Sequence, residues 1–304
     1  MRFTPLLFAA LTACAPRPVP RAAPPVESAP TRDEDQPEAP VSEEPAPEPF
    51  DLEAVEPVRL PSPGWAYRLA DATGRRALTV PRLVQVEAAR NQITDTEAWL
   101  GRHGFAFPGD PGAATREVPF AYRGAMLFRV MEQGGVTLAV YGDHVSDGRF
   151  LVGLDDEGAR FAYDFAAYLR APEVKPGDED FVTQGVAWAA LVGDWLYVQT
   201  NHMTYAASSG GMNGYLTALD AETGALRWRS RTRVANARTF AVVGDALVSG
   251  YGFTAEPDFL YVLDRFTGEV RAEERTATAP EYLLVRDDRL YVRAYDHDYV
   301  YHLR

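Results

Sequence analysis

The sequence is poor in the residues that mark several large classes of protein. A single cysteine, Cys14, stands among 304 residues, which excludes an intrachain disulfide and any zinc site built from paired thiolates. Five histidines leave little room for a multi-histidine metal cluster. Basic residues are in deficit, 30 Lys plus Arg against 43 Asp plus Glu. The resulting net charge of −13 repels phosphate backbones, so nucleic acid is not an expected partner. No apolar run approaches the roughly 20 residues of a membrane-spanning helix. The signatures G-x-x-x-x-G-K-S/T, H-E-x-x-H, G-x-S-x-G and C-x-x-C-H are all missing.

What is present falls into three segments. Residues 1–14 carry one basic residue, Arg2, then a short apolar stretch ending in small residues, the layout of a secretory signal. Residues 15–60 lack aromatics before Phe50, repeat proline every few positions and carry an excess of acid. Such a segment buries too little apolar surface to offset its ordering entropy, so it is read as an extended, disordered tether. Residues 61–304 have the composition of a folded domain and resemble themselves.

Internal repetition is clearest around two turns. Gly214 to Trp228 is one copy and Phe259 to Val270 another, with weaker copies at Phe150–Gly158 and Tyr67–Gly74. In each, a short alternating run has the period of a strand, an Asp opens a tight turn, and a Gly closes it. A second hairpin lies upstream of each copy, turning at Gly134-Gly135, Gly193-Asp194, Gly244-Asp245 and Asp287-Asp288. Two hairpins per repeat make a four-stranded antiparallel unit, the pattern of propeller blades.

Two resemblances follow from these residues. Leu11-Thr12-Ala13-Cys14 resembles the bacterial lipobox, which implies removal of residues 1–13, leaving Cys14 as the first residue with lipid attached to it. With Ala15 rather than Asp after the cysteine, the resemblance implies anchoring to the outer membrane of a Gram-negative bacterium. Ala218, Asp220, Thr223, Gly224 and Trp228 resemble the repeat motif of the PQQ-like (quinoprotein-type) β-propellers. Asp264, Thr267 and Gly268 repeat it, with Ala272 in the tryptophan position. In that family the tryptophan packs between neighbouring blades, so its loss implies an irregular ring. The resemblance covers 120–304 well and 61–120 poorly.

The fold expected is therefore all-β, an irregular PQQ-like β-propeller of about five or six four-stranded blades. Leu83–Leu100, mixing Val84, Val86, Ile93 and Trp99 with charged residues, is expected to be a helical insert. The last unit, Glu281–Leu303, has three strands, and a segment near Val55–Leu69 is expected to supply the fourth and clasp the ends together.

Chemistry is scarcer than architecture. Quinoprotein enzymes have more blades, a calcium site and often a vicinal cysteine pair, so the repeat implies a propeller and not a dehydrogenase. No cofactor and no metal are expected. Loops between the second and third strands of each unit share one face, and three histidines recur there: His144, His202 and His297. They are read either as imidazoles on a shared binding face or as turn residues inherited with the repeat. The longest of these loops, 202–213, adds Met203, Tyr205 and Met212, and the neighbouring loop adds Phe253, a set suited to a contact surface. The functional expectation is a monomeric envelope lipoprotein whose non-catalytic propeller binds another envelope protein. The alternative is a receptor for a sugar, cation or other small molecule on that face, with a degenerate quinoprotein enzyme behind it.

Overall fold

The computed structural model describes residues 51–66, 68–70, 79–143 and 147–304. Cys14, the leader, residues 15–50 and His144 lie outside the described residues.

Among the described residues, eighteen strands follow one another with one short α-helix. The early elements are β1 (Val58–Arg59), β2 (Leu83–Arg90) and α1 (Thr96–Arg102). The first sheet then comprises β3 (Ala121–Tyr122), β4 (Ala125–Gln133), β5 (Val136–Gly142), β6 (Gly148–Asp155) and β7 (Gly158–Asp164). The second has β8 (Gly185–Val192), β9 (Trp195–Asn201), β10 (Tyr215–Asp220) and β11 (Leu226–Arg229). The third has β12 (Ala241–Val243), β13 (Ala246–Phe253), β14 (Glu256–Asp264) and β15 (Val270–Arg275). The fourth has β16 (Pro280–Arg286), β17 (Arg289–Ala294) and β18 (His297–Leu303), completed by β2 in the order β16-β17-β18-β2.

The hairpins arise where the sequence places its turn residues. Gly134, Gly193 and Gly244 open two-residue turns at φ 58°, 61° and 54°, and Asp287 takes the same left-handed conformation at φ 54°. Turns of this hand match the twist of the strands they join. The central strands β5 and β9 are buried almost throughout: both faces of β9 pack against neighbouring sheets, whereas β5 packs one face on the second sheet and the other beneath Leu52, Val55, Ala114 and Val118. One apolar cluster joins the first and second sheets through Leu138, Val140, Leu196 and Val198. Others join the second to the third through Trp228, Tyr251 and Leu263, and the third to the fourth through Val248, Leu260 and Leu290. The junction of fourth and first sheets is built differently, by α1 and the segment after it. Phe105 packs on Tyr291, Phe107 on Tyr282, and the Gly109 carbonyl accepts from Val130 N–H at 3.1 Å.

The architecture is an all-β propeller, as expected, with three corrections. Four sheets are found among the described residues, not five or six. The described residues of the poorly matching stretch 61–120 form no blade of their own and supply β2, α1 and connecting segments. Within 83–100, residues Leu83–Arg90 are a strand, and the helix begins only at Thr96, where the Asp95 side chain accepts from the N–H groups of Glu97 and Ala98. As a half-exposed edge strand, β2 has too weak an alternation to separate it from a helix by period alone. The clasp is real but comes from β2, paired antiparallel with β18 from Arg90↔His297 to Leu83↔Leu303, not from 55–69.

The upstream segment instead forms a belt. Val58–Arg59 adds to β7 in parallel, Arg68 pairs with Arg229, Ala70 N–H donates to the Thr267 carbonyl, and Thr79 N–H donates to Asp245. Leu52 and Leu60 are buried, and Tyr122 Oη donates to the Val55 carbonyl at 2.7 Å. Residues 51–60, assigned above to the tether, thus pack on the folded domain. Arg229 fastens the belt: it is fully buried, with its guanidinium 4.0 Å from the Tyr215 ring and 5.5 Å from that of Trp65.

The repeat motif is a docking device. Asp220 Oδ1 accepts from Thr223 N–H (2.9 Å) and Thr223 Oγ1 (2.8 Å), and its Oδ2 meets Arg227 at 2.6 Å. Asp264 repeats this with Phe266 and Thr267 N–H groups and with Arg271. Gly268, at φ 78°, leaves a bare face against which the Trp228 ring lies, and Trp228 Nε1 donates to the Arg265 carbonyl at 3.0 Å. Gly224 receives Tyr163 from the first sheet in the same way, with Tyr163 Oη donating to the Ala221 carbonyl at 3.0 Å. Tyr163 thus does for one junction what Trp228 does for the next. Ala272 has no such task, because the fourth sheet ends in β2 and offers no β-hairpin turn to receive a ring.

Candidate functional site

On the face carrying the loops between second and third strands, the loop from His202 to Gly214 is held from within. The Asn213 amide accepts from His202 N–H at 2.9 Å and donates to the carbonyls of His202 and Thr204. The His202 ring is buried, with Nε2 2.8 Å from Ser209 Oγ, and burial pushes its pKa down to about 4. Ser209 Oγ lies within hydrogen-bond reach of the carbonyls of Ala206 (3.2 Å) and Met212 (3.0 Å), which share its one proton, and Glu256 accepts from Ala206 N–H. Met212 is half-buried over Gly210. What the loop presents outward is Met203, 56% exposed, and Tyr205, whose ring lies 4.7 Å from that of Phe253.

A cleft of about 510 Å³ opens between the third and fourth sheets on this face. Met203, Phe253, Asn236, Arg238, Asp258 and Tyr295 are among its lining residues, and Tyr295 is 76% exposed. Asp258 Oδ1 is buried without a hydrogen-bond partner. Burial, with Arg275 opposing and Asp296 assisting, raises the Asp258 pKa to about 6. Asp296 Oδ1 is tied to Thr278 Oγ1 at 2.7 Å and to His297 Nδ1 at 2.6 Å.

The sequence-selected residues therefore separate. Met203, Phe253 and the edge of His202 meet in the cleft, and Tyr205 joins through Phe253. His297 stands behind Asp296 with its ring stacked on Tyr299, and Met212 faces into its own loop. His202 serves as a loop fastener. Among the described residues no group of three His, Cys, Asp or Glu side chains could hold a metal ion.

A second cluster was not anticipated. Strand registers shift at Leu127/Arg129 in β4, Val186/Trp188 in β8 and Pro280/Tyr282 in β16, the same place in the innermost strand of three sheets. Each such bulge turns a side chain inward. The Arg129 guanidinium lies 5.7 Å from the Trp188 ring, and Arg238, just before β12, lies 5.9 Å from that of Tyr282. Both arginines act electrostatically on Tyr282, and Arg238 on Arg129. Each sheet thus contributes one member. The sequence held a signal: Arg129, Trp188 and Tyr282 each stand five residues before the first turn residue of their hairpin. Their side chains differ in kind, so no residue pattern repeats.

Residues 212–303 match the family model described as outer membrane protein assembly factor BamB, a PQQ-type repeat. No curated protein matches the chain in sequence. Among solved structures, the computationally designed Ika4 protein aligns over 63% of this chain and 99% of its own, at 10% identity and a TM-score of 0.40. BamB from Moraxella catarrhalis aligns over 62% of each chain at 15% identity and a TM-score of 0.33. This chain therefore spans less than two thirds of that BamB. These likenesses are too weak to carry function across.

Proposed function

From its standing as a PQQ-like β-propeller repeat protein, matched to the BamB family model over 212–303, we propose that this chain is a cell-envelope lipoprotein whose loop face binds another envelope protein without catalysis. Lipid on Cys14 holds it to the outer membrane, and the acidic, proline-rich stretch up to about residue 50 sets the propeller away from the bilayer. Two or more buried acyl chains, at about 0.8 kcal/mol per methylene, make such anchoring stable.

One observation carries the reading of the face. A loop made rigid by buried hydrogen bonds presents Met203 and Tyr205 outward beside Phe253, with Tyr295 on the far lip of the cleft. Large side chains held in place on a pre-formed surface lose little entropy on binding, which suits Tyr205 and Tyr295 to be hot spots, with Met203 filling around them. The test is site-specific photo-crosslinking in intact cells from Met203, Tyr205 and Tyr295, with Val86 on β2 as the control. A discrete adduct from the loop positions and none from Val86 is expected; equal adducts from all four would reject the assignment of the face. Mass spectrometry of Cys14 tests the anchor, and an unacylated soluble product would reject it.

A second reading, a small-molecule, sugar or cation receptor, is favoured by the cleft itself and by the unpaired Asp258 oxygen within it. Calorimetry with calcium, zinc and simple sugars separates the two, since saturable heat belongs to the receptor alone.

A further inference from the structure

The inward cluster of Arg129, Trp188, Arg238 and Tyr282 has a charge imbalance that the fold does not relieve. Arg129 is desolvated among β4, β8 and the Gly109 backbone, and its Nε is buried without a hydrogen-bond partner. Arg238 makes no ion pair among the described residues, and its side chain reaches the cleft of the loop face. Burial lowers the pKa of Arg129, and the neighbouring Arg238 lowers it further. Glu281 is the carboxylate that acts on Tyr282, yet it forms no ion pair with either guanidinium. Neither guanidinium forms an ion pair among the described residues, although Asp258, Glu281 and Asp296 line the cleft beside Arg238, so the uncompensated buried cation is Arg129. Burying an uncompensated cation is costly unless an anion joins it.

We propose that this cluster is a binding site for a small di- or tricarboxylate, held by Arg129 and Arg238 and entered from the cleft of the loop face. The guanidinium groups suit planar carboxylates, which they can grip through two parallel N–H bonds. The rings of Trp188, Tyr282 and Phe107, the last 6.0 Å from Tyr282, suit a carbon skeleton. Bulges in three sheets aim three of these side chains to the same place, which is how propellers and barrels build sites from unlike residues on like strands. This site requires no protein partner, so it stands or falls separately from the scaffold role.

The test is calorimetric titration of the purified full chain with citrate and succinate at low ionic strength, with sulfate and inorganic phosphate as probes of bare charge. Saturable 1:1 binding of citrate is expected. R129Q and R238Q should each weaken it about tenfold or more, and E281Q should tighten it. A thermal melt supplies a second readout: citrate raises the transition of the parent and not that of R129Q. Arg238 is exposed, so R238Q folds even if R129Q does not. No saturable heat, or citrate binding that survives both arginine substitutions, would overturn the site. Phosphate binding as tightly as citrate would overturn the carboxylate assignment.

Discussion

Replacing Gly268 by alanine asks whether ring-on-glycine docking holds the blades together. Two costs can be separated. An alanine at φ 78° pays for a left-handed backbone, about 1 kcal/mol. Its Cβ would also lie 2.5 Å from Trp228 Cε3, inside any real contact, so the ring must move and its hydrogen bond to the Arg265 carbonyl must lengthen. Forced overpacking of a dense core adds about 1–3 kcal/mol. Gly193 is the control: it has φ 61° and open space where a Cβ would stand, so its substitution carries the backbone cost alone. Urea unfolding should therefore place Gly268→Ala about 2–4 kcal/mol below the parent and Gly193→Ala about 1 kcal/mol below, with unchanged slopes. Gly224→Ala, whose Cβ would lie 2.7 Å from Tyr163 Cε1, should resemble Gly268→Ala. Equal losses at Gly268 and Gly193 would refute the docking argument.

Other outcomes follow from the same structure. The His202 pKa is depressed in the folded state to about 4, so the unfolded chain binds the proton first as pH falls. Its contribution is intact above about 6.5 and is lost between there and 4, with a slope of up to about 1.4 kcal/mol per pH unit that His202→Gln should remove from a pH series of denaturation curves. A chain lacking residues 15–48 should keep its melting transition, whereas one lacking residues 15–91 loses β2, exposes the edge of β18 and should lose the cooperative transition in calorimetry. Asp287→Gly should raise stability by about 0.5 kcal/mol in chemical denaturation, since Asp287 holds φ 54° where its counterparts are glycine.

Legibility from sequence followed the repeats. The motif around Asp220 and Asp264 revealed strands, turns and blade type, because a tight turn needs particular residues at fixed offsets. Blade number was not legible, since the final blade borrows its outer strand from β2, which lies before all four hairpin units and matches no repeat. The exchange of Trp228 for Tyr163 was also hidden: either ring can cover a glycine and donate to a carbonyl, so the function persists while the letter changes. At the candidate site, the exposure of Met203 and Tyr205 was foreseeable from an insertion rich in small residues. The role of His202 was not, because it depends on Ser209 and Asn213 folding back over it.

The pairing of β18 with β2 has a consequence for the life of the chain. The paired strands run from His297↔Arg90 to Leu303↔Leu83, more than 200 residues apart along the chain, so the ring cannot close before β18 has been made. Contacts this distant along the chain form slowly, and until they form β2 is an unmatched edge. A polypeptide whose ring needs β18 to meet β2 cannot lock itself shut until both strands are free, and it stays open to threading until then.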